Sequence, residues 1–367
     1  MSKFSIETAV LKSMVSKAVK GAGNNPKQPM TELIYVEVEG GTLRLTTTDL
    51  NNYLTISNAV DSEDNFNFVV KIDKFSKLIA KQTVDTVTIS EEDGIVKIRG
   101  NGTYTLTVFS DGDGSKIKFP KHEINMPECE GSISVNTIRD IVLHNKSSLA
   151  VGADAIDRPD LSGYFCTDGE VISGNGFNVC VNKIDTFDVD ALVPAVMFDL
   201  ILMCKEDSIH YKIFEGRIIF ETPTFKLYGV LMSEDDMARF PLDRIHAVCE
   251  SGCPSECVVS KTVMLNVIDR LALFIGQLDQ NGMYLTFREN DILAESVTGM
   301  GTETIPYQGI KNFKPFTCFA NVDALKHQFI AREGESVKFS FGNESLVRTD
   351  EDNVILISSL LEDRRGR

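Results

Sequence analysis

The sequence contains no apolar run of the roughly 18 residues that a membrane-spanning helix needs. Its first residues, MSKFSIETAVLKSMV, lack a long apolar core followed by a small-residue cleavage site. No secretory leader is read there, and a cytoplasmic protein without a membrane partner is expected. No G-x-x-x-x-G-K-[ST] phosphate loop is present, and the five histidines are scattered without a triad-like pattern. Nothing therefore points to an enzyme. Eight cysteines in 367 residues are too sparse for a disulfide framework. Cys166, Cys180, Cys204 and Cys318 stand in apolar contexts and read as small buried hydrophobes. Positive charge is also short, with 37 Lys and Arg against 53 Asp and Glu, a net charge of −16. In bulk that argues against nucleic acid, unless the cations are gathered on one surface.

What is present is ordinary globular material, 43% hydrophobic and 25% charged. A chain of 367 residues exceeds one comfortable core, so two or three domains are expected. Two strings repeat: KFPKHEI at 118–124 and RFPLDRI at 239–245. Their Phe119 and Phe240 are 121 residues apart, close to a third of the chain.

The same order of elements recurs in each third. An amphipathic helix opens each, over 8–20, 135–149 and 260–274, with Val10, Leu11, Met14, Val15, Ala18 and Val19 at helical spacing in the first. Alternating strands follow, as in 33–50, where Gly40-Gly41 reads as a hairpin turn. A second helix is expected over 73–81, 194–205 and 321–330. Closing strand meanders begin at 87, 209 and 337. These observations predict an α+β fold of three repeated domains, 1–120, 121–245 and 246–367. Each has two helices packed on antiparallel sheets. The Phe-Pro marks read as hinges between domains, because proline ends strand pairing.

Charge follows the elements: the predicted helices are net positive and the remainder is acidic. Lys12, Lys17 and Lys20 lie opposite the apolar stripe of the first helix, and Lys74, Lys77 and Lys81 follow i, i+3, i+7 on the second. Arg139 and Lys146 repeat a spacing of seven; Lys261, Arg270 and Lys326 are less well aligned. Helices pack about 8–10 Å apart. Six in a circle leave an opening of about 8 Å, whereas twelve leave about 26 Å, enough for a duplex about 20 Å wide. Two chains could then surround double-stranded DNA and meet phosphates without reading bases.

The order of elements, the string LRLTTTDL (43–50), Phe4 to Leu11, both Phe-Pro marks and the closing strand together resemble the bacterial sliding clamp, the beta subunit of DNA polymerase III. The resemblance covers essentially the whole chain and rests on ordered spacing. It implies a non-enzymatic processivity factor without cofactors: a head-to-tail homodimer forming a six-domain ring. A clamp loader would place the ring on DNA, and the ring would tether a replicative DNA polymerase. It further implies a partner-peptide pocket at Leu161, Gly174, Gly176, Phe177, Val179, Pro241, Ile245, Ile355, Ile357 and Ser358. The ring interface would use Tyr104 and Leu106 with Phe274 and Ile275. The family's Thr-Asp-Gly-His-Arg-Leu loop is replaced here by GNGFNV (174–179). Its Met-Pro-Met ending is replaced by Ile357-Ser358-Ser359, followed by EDRRGR, which implies altered peptide preference and suits a phage or plasmid replication system. A non-closing, monomeric decoy is the alternative. Cys249, Cys253 and Cys257 lack the spacing of a zinc site, so no metal is expected and an enzyme built on them is disfavoured. SDGDGS (110–115) reads as a turn rather than a calcium loop.

Overall fold

The computed structural model describes all residues except 1, 24, 26, 111–116, 118, 185, 186, 188, 277–279, 352 and 363–367. SDGDGS falls almost wholly outside the described residues. The fold is α+β, and the threefold repeat is present element by element. Each domain opens with a strand, Ser2–Glu7, Cys129–Ser134 or Ser255–Ser260. An 11-residue helix follows: Thr8–Ala18, Val135–Asn145 or Lys261–Leu271. All three helices tighten into a 3₁₀ turn, at Val19–Gly21, Lys146–Ser148 and Ala272–Phe274. These turns account for the longer helices expected from periodicity. In the first, Leu11, Met14, Val15 and Ala18 form the buried stripe, as their 3–4 spacing requires.

Each domain builds two four-stranded antiparallel sheets. The first contains its opening strand and closing meander: in domain 1, Ser2–Glu7, Thr86–Glu92, Ile95–Arg99 and Thr103–Thr107 in spatial order. The second runs Phe66–Lys71, Leu33–Glu39, Thr42–Thr48 and Asn52–Ala59. Asn52–Ala59 then pairs with Phe225–Val230, the last meander strand of domain 2, with Tyr53 opposite Tyr228 and Thr55 opposite Lys226. The next joint repeats this. Asn178–Lys183, the last strand of domain 2's second sheet, pairs with Val354–Leu361, with Val179 opposite Ile357 and Val181 opposite Ile355. Strand for strand, the two joints are the same construction.

Packing divides the chain into two compact units, residues 1–138 with 196–231 and residues 139–195 with 232–367. The middle domain contributes one sheet to each unit. Sequence repetition and compactness thus mark different divisions of the chain.

The Phe-Pro marks are anchors more than hinges. Phe119 is buried and stacks on Tyr35, with centroids 5.4 Å apart and planes at 11°. Phe240 is buried and stacks on Phe165 at 4.6 Å and 17°. Tyr35 and Phe165 are each the third residue of the equivalent strand. Such pairs hold a connector by about 0.5–1.5 kcal/mol beyond area burial. After Pro120 the chain runs without helix or strand to Cys129, but Pro241 lies between helices Glu234–Arg239 and Leu242–Ser251, which periodicity did not reveal. A capping box starts the former: Ser233 accepts from the Asp236 N–H, and the Asp236 carboxylate accepts from the Ser233 N–H. Phe240→Ala should cost about 3 kcal/mol by urea unfolding, as truncation of a buried ring does. An unchanged midpoint would show that the ring anchors nothing.

Candidate nucleic-acid interface and docking site

The opening helix of domain 1 and helix Ile72–Ala80 bring their basic residues together. Lys12 and Lys77 line one groove with Ser13, Ser16 and Ser76, over a floor including Val15 and Ile79; its cavity volume is about 560 Å³. Lys77 is held 2.5 Å from Asp73, one turn back. Among the described residues, no carboxylate lies within ion-pair distance of Lys12, Lys20, Lys74 or Lys81, so their charge is available to an external anion.

Lys17 occupies a second cavity of about 310 Å³ in the same unit, lined also by Lys205, Thr224 and Phe225. Burial, then repulsion from Lys205, lowers the Lys17 pKa. An anion placed between the two ammonium groups would relieve that repulsion. Lys205 was missing from the sequence-based set. The helix expected to run through it stops at Ile201, so its position depends on a loop that helical periodicity does not describe.

Beside it, burial opposes ionisation of Glu206. Hydrogen bonds from Thr224 (2.6 Å) and the Cys204 thiol (3.0 Å), with others from its own backbone and Thr222, outweigh that and hold its pKa at about 2. A carboxyl whose folded pKa is depressed contributes stability that is fully present above its unfolded value near 4.5 and disappears as pH falls towards 2. Glu206→Gln should therefore flatten the loss of stability between pH 4.5 and 2, measured by urea midpoints; an unaltered acid limb would remove Glu206 as its source.

Domain 3 is different. Arg270 makes a two-pronged ion pair with Glu303 (2.8 and 2.5 Å), and Lys326 pairs with Asp269 at 2.6 Å. The Lys261 ammonium donates to the carbonyls of Ile330 and Arg332. Arg139 and Lys146 are exposed. The cations without a carboxylate partner are thus best represented in domain 1.

In the second unit Leu161 and Ile245 belong to one apolar cluster with Phe165, Ile172 and Phe240, and Val179 and Ile355 pack against it half-buried. A Cβ at Gly174 would lie 3.7 Å from both Ile245 and Val179, so the absent side chain keeps this surface open. Gly176 sits at φ +89° in the tight turn that leaves Phe177 55% exposed. Pro241 precedes the helix that carries Ile245. Ile357, in register with Val179, shares the strand face of Ile355. Ser358 turns to the opposite face, where it accepts from Gln328 and donates to Asn178. Met232, Met237 and Leu242 also pack on this cluster, and Ile156, beside the cluster residue Ala155, is 81% exposed. The methionines were not singled out in the sequence because they belong to no helical or strand periodicity.

Tyr104 and half-buried Leu106 lie on Thr103–Thr107, the edge strand of its sheet. Phe274 is 48% exposed and its neighbour Leu273, absent from the sequence-based set, 81%. Ile275 instead packs against the domain 3 core. The three cysteines separate: Cys257 enters that core, Cys253 lies near the Leu346 carbonyl, and Cys249 packs on the apolar cluster. Among the described residues no three His, Cys, Asp or Glu side chains are grouped to hold a metal ion, and no helix is long and apolar enough to cross a membrane.

Residues 2–117 match the family described as DNA polymerase III beta subunit, N-terminal domain. No curated protein matches the chain in sequence. In structure it is similar to the DNA polymerase III beta subunit of Thermotoga maritima, at 16% identity and TM-score 0.85, covering 99% of this chain and 100% of that one. Similarity extends to the beta subunit of Borrelia burgdorferi in complex with a natural product, at 16% identity and TM-score 0.85 over 99% and 100% of the two chains. The DNA polymerase sliding clamp of Pseudomonas aeruginosa is also similar, at 16% identity and TM-score 0.84 over 99% and 100%.

Proposed function

We infer a DNA-tethering role from the premise that this chain, through its N-terminal domain, is a divergent member of the DNA polymerase III beta subunit (sliding clamp) family and has that family's fold throughout. Two copies close head to tail into a six-domain ring around duplex DNA. The ring slides without sequence preference and holds a replicative polymerase through the apolar surface around Leu161, Val179, Ile245 and Ile355. A clamp loader opens and places it. The role is non-enzymatic, as in the family.

The observation carrying this reading is the repeated strand joint. Three domains offer three donor strands, of which Asn52–Ala59 and Asn178–Lys183 are used inside the chain. The third, Thr302–Lys311, pairs with Asp291–Ser296 on one side, and only its later part meets Ser255–Ser260 on the other. Among the described residues, the matching acceptor, Thr103–Thr107, has one strand neighbour, Ile95–Arg99. Unpaired edges invite strand addition. Joining the leftover donor of one copy to the leftover acceptor of another continues the pattern, and a head-to-tail contact that closes gives a ring. Leu273 and Phe274 supply an apolar surface for that contact. Lys12, Lys20, Lys74 and Lys81, with Lys17 and Lys205, supply phosphate-directed charge despite the acidic total. An extended hydrophobic peptide suits the apolar surface. Retention on closed circular but not linear DNA tests the ring, and solution mass separates it from a monomeric decoy.

A further inference from the structure

We propose that the first Phe-Pro connector forms a second docking groove, taking an extended segment of a partner protein that presents an aromatic side chain beside a carboxylate. The inference rests on the tethering role above and concerns the first joint, which that role does not use. The two joints are equivalent in register but covered differently. In the second unit the segment after Phe240-Pro241 coils into a helix and places Ile245 in an apolar cluster with Phe165, Phe240, Val179, Val181 and Ile355. In the first unit the segment after Phe119-Pro120 forms neither helix nor strand, and the His122 ring lies across Tyr53 and Tyr228. A cavity of about 240 Å³ remains, walled by Tyr35, Tyr53, Thr55, His122, Lys226 and Tyr228.

Its chemistry selects the occupant. The His122 ring stacks on Tyr228 at 3.8 Å and 7° and meets Tyr53 at 4.4 Å, making an aromatic shelf for another ring. The His122 Nε2 is shielded from solvent with no hydrogen-bond partner among the described residues, so a hydrogen-bonding group of a peptide reaching it would satisfy it. At the far end Glu37 and Glu39 are already met by Arg44, at 3.5 and 3.2 Å, and by Lys121, 2.9 Å from Glu37. At the His122 end, Lys226 stands 4.0 Å from Glu221, whose nearer partner is Lys212 at 2.7 Å. A single carboxylate complements that end. Glu37, Glu39 and Glu123 line the same cavity and disfavour a nucleic-acid strand, whose successive phosphates would meet them.

The probe is an N-acetylated, C-amidated hexapeptide with an Asp-Phe pair in a Gly-Ser background, titrated into the full-length protein. The readout is the His122 imidazole resonance, assigned with His122→Gln. A saturable shift is expected, with affinity reduced about tenfold by Lys226→Ala or by Asp→Asn in the peptide, and unaltered by Ile156→Asp, an exposed change in the second unit. No shift, or a shift indifferent to both changes, would overturn the groove, as would displacement by single-stranded DNA with equal effectiveness. Retention of the wild-type protein on circular DNA separates the two readings: if it is retained there but gives no saturable peptide shift, the groove is wrong and the ring stands.

Discussion

On closed circular duplex the protein, placed with its loader if loading requires one, is expected to survive washes at high salt that strip it from a linear duplex of the same sequence. A single restriction cut should release it. The difference is topological: a ring linked to a circle cannot leave by breaking ion pairs, whereas on linear DNA it slides off an end. Equal loss from both forms would exclude encirclement. The lysines are tested separately, because charge does not hold a closed ring on a circle. For short linear duplex, Lys12→Glu, Lys17→Glu and Lys74→Glu together should flatten the dependence of log affinity on log salt by about 3, near 0.9 for each phosphate no longer neutralised. These side chains are exposed or half-buried on helix faces opposite the core, so folding should be preserved. An unchanged slope would remove these helices from the DNA-facing surface.

The second large effect concerns self-association. Leu273→Asp with Phe274→Asp should convert the proposed dimer to monomer at micromolar concentration, read by solution mass. Each removed apolar anchor in a desolvated contact costs about 2–4 kcal/mol, or roughly 30- to 1,000-fold in affinity. Both side chains lie outside the domain 3 core, unlike Ile275, whose replacement would confuse dissociation with unfolding. A persistent dimer would move the interface elsewhere, and a monomeric wild type would support the decoy. Because the proposed contact is head to tail, Tyr104→Asp on the acceptor strand should act in the same direction from the other side of the joint.

Much of this architecture is legible in the order of residues. Leu11, Met14, Val15 and Ala18 specify which face of a helix is buried, and three copies of the same succession declare a triplicated fold before any contact is known. The basic helix faces can be read likewise, because side-chain direction along a helix follows from spacing. The apolar docking surface is only partly legible: Leu161, Val179, Ile245 and Ile355 were found through resemblance, while Met232 and Met237 have no periodic signature to betray them.

Local pattern determined the repeated elements and the segregation of charge, since each depends on neighbours a few residues apart. Tertiary structure decided which charges remain available: Arg270 and Lys326 are turned to Glu303 and Asp269, and Lys205 is brought beside Lys17. It also decided that two connectors sharing a Phe-Pro pair cover equivalent strand pairs in different ways, one with a helix and the other with a non-helical segment bearing His122. Those outcomes depend on partners from 33 residues apart, as in Arg270 and Glu303, to far beyond. Only folding sets those distances, because no local periodicity encodes which distant side chain will stand opposite.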